Sequence, residues 1–157
     1  MDHIDREIIR TLQRDGRITN QELANRVRLT PSPCLRRLNN LEAGGAIRGY
    51  TAQADPTTYG LSVTAFVRVS LREQNERTVT AFEAAIRRLD AVQDCYMLAG
   101  EGDYLLRVVA VDLRDYERFL RTELHLTPGI ASISTNFCIG DVKTTPVFPA
   151  LALPSGQ

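Results

Sequence analysis

The chain has 157 residues, of which 43% are hydrophobic and 24% charged, with 19 Lys and Arg against 19 Asp and Glu. This composition is typical of a globular protein and excludes collagen-like, disordered and disulfide-rich classes. No apolar run approaches the roughly 20 residues that cross a bilayer, and the acidic N-terminus does not resemble a signal peptide. We therefore expect a cytoplasmic protein without membrane contact, whose three cysteines stay reduced.

The net charge of zero hides a local excess of arginine. Residues 1–60 carry nine arginines and seven acids, whereas residues 61–157 carry ten basic and twelve acidic side chains. Within residues 17–48 there are six arginines and two acids, a net charge of +4. Arginine presents a planar fork that suits phosphates and guanine edges. The segment is therefore a candidate for nucleic-acid contact, and a merely solvated arginine-rich surface is the alternative.

Three short helices are predicted in the first segment. Asp2 caps the first helix, whose isoleucines and leucine recur at helical spacing, and Asp15-Gly16 ends it. Thr19 and Glu22 form a capping box at the start of the second helix. The third begins at Thr30-Pro31, where an N-cap precedes a proline at the first helical position, and it runs to about residue 42. The buried edges are expected at Leu23, Ala24 and Val27, and then at Cys34, Leu38 and Leu41 with Leu35 beside them.

Two helices joined by three or four residues, the second rich in arginine, are typical of a helix-turn-helix that reads the major groove of double-stranded DNA with its second helix. The N-terminal turn of such a helix points at the bases. For any single arginine, a solvated helix face is the alternative interpretation. The residues assigned to DNA are Ser32, Arg36 and Arg37 at base edges or nearby phosphates, Thr30 and Asn40 on the backbone, and Arg48 as a wing contact to phosphate.

A second pattern begins beyond residue 46. Residues 46–52 are extended, and Asp55-Pro56 and Tyr59-Gly60 indicate a linker, which places a domain boundary near residue 60. The periodicity then predicts strands at 63–71, 92–99, 104–111 and 130–139, with helices near 79–89 and 112–124. This βαββαβ order defines an α+β, ferredoxin-like sandwich with two helices on one face of an antiparallel sheet. The opposite face of that sheet carries no helix and must be covered by something else.

Four stretches of the sequence resemble those of a known protein family. The motifs are IDREIIRTLQRDGRITNQELANRV, TPSPCLRRLNNLEAGGAIRGYTA, AGEGDYLLRVVAVDLRDYERFL and TNFCIGDVK, and together they span about residues 1–145. They resemble the Lrp/AsnC (feast/famine) transcription regulators. The resemblance implies a winged helix-turn-helix with a linker strand at 1–60, a ferredoxin-like (RAM/ACT-like) oligomerisation and effector domain at 61–143, and a tail at 144–157. It also implies homodimers paired sheet to sheet, often assembled into octamers, and a nucleoid-associated location.

The glycine-containing loop at residues 100–104 is a candidate effector site. It is not a dinucleotide fingerprint, because it opens a strand and not a helix, and by itself it indicates a hairpin. In the resembled family this loop helps form a pocket between dimers where amino acids bind. The resemblance then implies that the amides of Gly100 and Gly102 meet a carboxylate and that Asp103 meets an ammonium group. The full set of assigned residues is Leu98, Ala99, Gly100, Gly102, Asp103, Tyr104, Ser134 and Thr135.

Other kinds of site are not indicated. His3 and His125 fall in different domains, and no cysteine pair has metal-ligand spacing. No nucleophile has a base placed near it, so we expect no catalytic residues and no cofactor beyond a small-molecule effector. The leading hypothesis is a DNA-binding transcription regulator that responds to an amino acid or a related metabolite. The rival is a metabolite-sensing subunit that regulates an amino-acid enzyme through protein contacts, and an enzyme comes third.

The tail at residues 144–157 has three prolines, no charge and several large apolar side chains. Two interpretations stay open for it. One is an arm laid on a partner subunit, and the other is a partly disordered end.

Overall fold

A computed structural model describes residues 1–151. Their contacts form two compact units, which we call the N-terminal unit (residues 1–53 with 142–151) and the C-terminal unit (residues 54–141). The first unit is therefore built from two separate stretches of chain. Across the described residues, every helix falls short of the length and hydropathy that a membrane crossing demands.

The N-terminal unit contains the three predicted helices. They are α1 (His3–Arg14), α2 (Asn20–Arg26) and α3 (Pro31–Ala43). The capping box of Thr19 and Glu22 is present at α2, and Asp2 forms a second capping box with Asp5 at α1. Thr30 is the N-cap residue of α3, as predicted, but its side chain makes no capping hydrogen bond. The proline at the first position of α3 needs no N–H partner, so the helix still starts there.

The core of this unit is small, consisting of Ile8, Leu23, Ala24, Cys34 and Leu41. The prediction of a buried Leu35 is wrong, since its side chain is 45% exposed. One helical step of 100° carries it away from Cys34 and off the packed edge.

The turn between α2 and α3 depends on one unusual backbone conformation. Arg28 has φ +58°, in the left-handed region that non-glycine residues rarely adopt. The next residue, Leu29, donates its N–H to the Ala24 carbonyl at 2.9 Å, which satisfies the C-terminal end of α2. The left-handed residue therefore reverses the chain over four residues and directs it into α3.

The segment after α3 differs from the prediction. Within the described chain, residues 46–53 form no strand, because a strand needs a neighbour for its backbone groups and none lies alongside in this chain. Tyr50 instead donates its hydroxyl hydrogen to Glu42 at 2.7 Å. The predicted linker contains a short helix, α4 (Pro56–Tyr59), whose start is capped by Asp55.

The C-terminal unit has the predicted βαββαβ order. Its elements are β1 (Val63–Leu71), α5 (Glu76–Ile86), β2 (Val92–Met97), β3 (Tyr104–Ala110), α6 (Leu113–Thr122), a 3-10 turn (Leu124–Leu126) and β4 (Ile130–Phe137). The four strands form one antiparallel sheet in the order β2-β3-β1-β4. The second and fourth strands end two residues earlier than predicted, because the chain turns into loops there.

The two faces of this sheet differ sharply. One face packs on α5 and α6, with Val67, Val69 and Leu106 fully buried against Phe82. The strand registers place a second set of side chains on the opposite face, which we call the open face. Its members are Thr64, Phe66, Arg68, Ser70, Asp94, Tyr96, Leu105, Arg107, Val109, Ser132, Ser134 and Asn136.

The first part of the predicted tail lies along α1. The N–H of Phe148 donates to Gln13 Oε1 at 3.0 Å, and its carbonyl accepts from Arg10 Nε at 3.2 Å. These two bonds hold the tail on α1 of its own chain at Phe148. Residues 152–157 lie outside the described part, so the two interpretations of the tail apply there only as predictions.

Candidate nucleic-acid interface and effector cavity

The outward side of α3 carries a row of exposed polar side chains, which we call the outer stripe: Ser32, Arg36, Asn39 and Asn40. They recur at helical spacing on the side opposite the packed edge. Arg36 has no hydrogen-bond or ion-pair partner among residues 1–151, whereas five arginines of the C-terminal unit are ion-paired. Asn39 was not assigned to DNA from the sequence, although its position seven residues after Ser32 gives the signal. The stripe is thus a polar helix face with an uncompensated positive charge.

Arg37 has different surroundings from the outer stripe. Its Nη1 donates to Asp2 Oδ2 at 2.7 Å and to Asp5 Oδ1 at 2.8 Å, both at the start of α1. Hydrogen bonds to Asp5 and Asp2 raise the pKa of Arg37. The pKa of Asp2 is lowered, mainly by the backbone N–H of Asp5 and also by Arg37. Arg37 and Asp2 are therefore both charged at neutral pH.

The two remaining residues assigned to DNA are also exposed. Thr30 stands at the N-terminus of α3, and Arg48 lies in the irregular segment that follows the helix. Arg48 has no acidic partner among the described residues. Both side chains are accessible to a ligand on the surface of the N-terminal unit.

A cavity of about 420 Å³ opens beside the glycine-containing loop of the C-terminal unit. This volume is within the range of roughly 300–1,000 Å³ usual for small-molecule sites. Five of the eight residues predicted for the effector site line it, namely Leu98, Gly100, Gly102, Asp103 and Tyr104. Four residues that the sequence did not assign also line it, namely Leu71, Gln74, Val79 and Met97.

The loop contributes two glycines to the lining of the cavity. Gly100 and Gly102 have φ +140° and +79°, which other residues rarely adopt. Neither glycine N–H donates a hydrogen bond within residues 1–151. A Cβ at Gly102 would lie 2.6 Å from Arg68 Cγ, so a side chain does not fit there without movement. Two unpaired donors at the rim of a cavity can receive an anionic group.

Asp103 holds the rim of the cavity together. Its Oδ2 accepts from the Leu71 N–H at 2.6 Å and its Oδ1 accepts from Gln74 Nε2 at 2.5 Å. The carboxylate therefore ties the start of β3 to the end of β1, and each oxygen keeps a second lone pair. Tyr104 donates to Glu83 at 3.1 Å, and burial raises its pKa to about 12, so the phenol stays protonated.

The other predicted effector residues lie elsewhere. Ala99 belongs to the loop but does not line the cavity. Ser134 is on the open face opposite Arg68, whereas the Thr135 hydroxyl bonds to the Tyr116 hydroxyl at 2.6 Å on the helix side. The structure thus separates the two hydroxyls onto opposite faces of β4. Neither reaches the cavity of the C-terminal unit.

No group of three or more potential metal-ligating His, Cys, Asp or Glu side chains occurs in the part of the chain that the structure describes.

A helix-turn-helix with an arginine on its outer face is joined to an α+β unit with a ligand-sized cavity. This combination defines a class of proteins: two-domain transcription regulators.

Comparisons with known proteins identify the family. Residues 1–48 match the model of a winged helix-turn-helix DNA-binding domain, and residues 64–148 match that of the Lrp/AsnC ligand-binding domain. The leucine-responsive regulatory protein of Rhizobium meliloti is 41% identical over 143 residues, covering 91% of this chain and 92% of that protein. The protein of the same name from Salmonella typhimurium is 38% identical, covering 91% and 87%. The chain belongs to the Lrp/AsnC family.

Solved structures agree with this assignment. A transcriptional regulator from Neisseria meningitidis, solved as its L-Met complex, superimposes with a TM-score of 0.89 at 38% identity, covering 95% of this chain and 96% of that one. An AsnC family regulator from Agrobacterium tumefaciens has the same TM-score at 32% identity, covering 95% and 97%. The prediction of a DNA-binding transcription regulator is confirmed, and these relatives favour it over the regulatory-subunit alternative.

Proposed function

We propose that this chain binds operator DNA as a symmetric dimer or larger homo-oligomer and that an apolar amino acid bound in the C-terminal unit alters this binding. The observation that carries the DNA proposal is the outer stripe with its unpaired Arg36. A helix of 13 residues is about 20 Å long, enough to lie in a major groove about 12 Å wide.

The stripe supports specific roles for its residues. Ser32 and Arg36 fall in the first half of α3, the part that approaches base edges in helix-turn-helix proteins. Asn40 and Thr30 flank them and suit backbone contacts, while Arg48 suits a phosphate beside the groove. Arginine that binds guanine with two hydrogen bonds contributes roughly 1–3 kcal/mol of discrimination.

Replacing Arg36 with alanine should weaken binding to a specific duplex by about 10- to 100-fold while changing binding to a scrambled duplex much less. The measurement is a gel-shift titration on the region upstream of the gene, at two salt concentrations. Arg88→Ala, which removes an exposed arginine from the C-terminal unit, controls for total charge. Equal weakening on both duplexes identifies a phosphate contact, and no effect on either contradicts the role of Arg36.

The cavity supports an amino-acid effector. Leu71, Val79, Met97 and Leu98 give it an apolar wall, and the amides of Gly100 and Gly102 suit a carboxylate at its rim. Asp103 lies beside them and suits an ammonium group through its remaining lone pairs. The Neisseria meningitidis relative was solved with L-Met, which is consistent with an apolar amino acid here.

In a thermal-shift screen of the twenty amino acids, apolar members such as Met and Leu should raise the unfolding midpoint. At a ligand concentration of 100 Kd the stabilisation is about 2.7 kcal/mol. Gly102→Ala should abolish the shift, because a side chain at φ +79° and 2.6 Å from Arg68 Cγ forces the loop that carries the two glycine amides to move. Gly140→Ala is the matched control, since a Cβ there has no neighbour within 4 Å. A flat screen with the unchanged protein counts against the effector proposal.

The open face supports pairing between two copies of the chain. Phe66 on the central strand β1 and Tyr96 on the edge strand β2 are 38% and 58% exposed on this face, whereas the central strands are packed on α5 and α6 on the other side. Two such faces can cover each other, as facing sheets do in sandwiches. A dimer of this kind would carry two copies of α3 and read two half-sites, and dimers could assemble further into an octamer.

A further inference from the structure

A network of three charged side chains connects α3 to the start of α1. Asp2 and Asp5 each use one carboxylate oxygen for the capping box, at 2.9 Å in both directions. Each offers its other oxygen to Nη1 of Arg37. The same two carboxylates therefore cap the start of α1 and bind an arginine of α3.

Arg37 is well placed to set the rotation of α3 about its own axis. On the helix surface it lies between the packed edge at Cys34 and the outer stripe at Arg36, and its side chain is 32% exposed. Only two residues of α3, Cys34 and Leu41, are fully packed in the core of the unit, with Leu38 partly buried beside them, so the packed edge is narrow. Two further side-chain hydrogen bonds hold α3 near its ends: Asn20 Nδ2 donates to the Pro31 carbonyl at 3.0 Å in the first turn, and Glu42 accepts from Tyr50 in the last turn.

The same network makes Arg37 a poor partner for DNA. The guanidinium and the two carboxylates together carry a charge of −1. A phosphate that approached this cluster would meet repulsion from both acids, and Arg37 would have to leave two charge-assisted hydrogen bonds. Arg36 carries no such cost.

We propose that Arg37 is a positioning residue: its bonds to Asp2 and Asp5 hold α3 so that the outer stripe faces the groove, and Arg37 itself does not contact DNA. This replaces the sequence-based assignment of Arg37 to base edges or phosphates. The inference rests on the proposed DNA contact by the outer stripe.

A purely electrostatic effect and a positioning role of Arg37 predict opposite changes in DNA affinity for Asp5→Asn. Removing a negative charge from a DNA-binding unit should strengthen DNA binding if only electrostatics matter. Asparagine keeps an oxygen for the capping box, but it then turns an NH2 group toward Arg37, or offers it only a neutral oxygen. If Arg37 positions α3, specific binding should therefore become about tenfold weaker. Glu7→Gln is the matched control, because it makes the same change of charge on α1 at a carboxylate that pairs with Arg10 and not with α3.

The experiment measures Kd for a duplex selected by the unchanged protein from a random library, and for a scrambled duplex, at several salt concentrations. We expect Asp5→Asn and Arg37→Gln each to lower the affinity for the selected duplex by about tenfold. The double variant should bind this duplex as well as whichever single variant binds it less tightly. The salt slope of Arg37→Gln should equal that of the unchanged protein, whereas loss of a phosphate contact lowers it by about 0.9. Circular dichroism at the assay temperature verifies that the helices remain folded.

Three results would overturn the proposal: Asp5→Asn binding as Glu7→Gln does, additive losses in the double variant, or a reduced salt slope for Arg37→Gln. If Asp5→Asn proves unfolded at the assay temperature, Arg37→Gln and its salt slope decide the question. Failure of the unchanged protein to select any duplex contradicts the DNA proposal itself. A selected duplex that all variants bind equally well contradicts only the positioning role.

Discussion

Replacing Ile8 with alanine should unfold the N-terminal unit and abolish DNA binding, while the C-terminal unit stays folded and keeps its amino-acid response. Ile8 is fully buried in a core of five residues. Removing such a side chain costs about 2–5 kcal/mol. A unit of roughly 60 residues has only about 3–9 kcal/mol of stability, so one cavity removes most of it.

The two hydrophobic cores share no residue, which is why the loss should be local. Calorimetry should then show the disappearance of one transition, and gel shifts the disappearance of the complex. Leu35→Ala is the control for stability, because this leucine lies on the same unit but is half exposed. A single transition that moves as a whole would mean that the two units unfold together.

Replacing Phe66 with aspartate should break the homo-oligomer and reduce DNA affinity by roughly 10²- to 10⁴-fold. The substitution places a carboxylate in the centre of the proposed interface, where an unpaired charge is costly. The nearby Arg107 is already paired with Asp94 at 2.5 Å. A monomer carries a single α3, so the gain in affinity from engaging two half-sites at once is lost.

Light scattering coupled to gel filtration measures the mass, and gel shifts measure the affinity. Leu126→Asp is the matched control: this leucine is 74% exposed in the 3-10 turn, away from the open face. The control should keep both the mass and the affinity of the unchanged protein. If Phe66→Asp also keeps the mass, the open face is not the interface.

Local chemistry made most of the fold predictable. The capping boxes at α1 and α2 and the Thr30-Pro31 start of α3 depend on residues a few positions apart, so their signals are visible in the sequence. The alternation of apolar with polar or small residues from Val63 to Leu71 likewise indicates which side chains of β1 face the helices. By contrast, α4 was missed although Asp55-Pro56 carries the same kind of start signal as α3. A four-residue helix has too little periodicity to distinguish it from a turn.

The candidate sites were less predictable, because they depend on contacts between distant segments. Arg37 has the composition of a DNA contact, but its two partners lie 35 and 32 positions earlier in the chain. The wall of the cavity includes Leu71 and Val79, which their periodicity marks only as core residues. Antiparallel pairing of β1 with β3 is what brings the end of one strand beside the start of the other. The periodicity of a sequence does not show which distant segments become neighbours in the fold.

The return of the tail to α1 makes the C-terminal unit an insertion within the N-terminal one. The backbone passes between the units at two points, after residue 53 and before residue 142. A fragment cut at residue 60 would therefore lack the segment that bonds to Gln13 and Arg10. The complete DNA-binding part would have to be spliced from both stretches. The second passage also connects the end of β4 to α1 without the linker, through the tail and the two hydrogen bonds of Phe148.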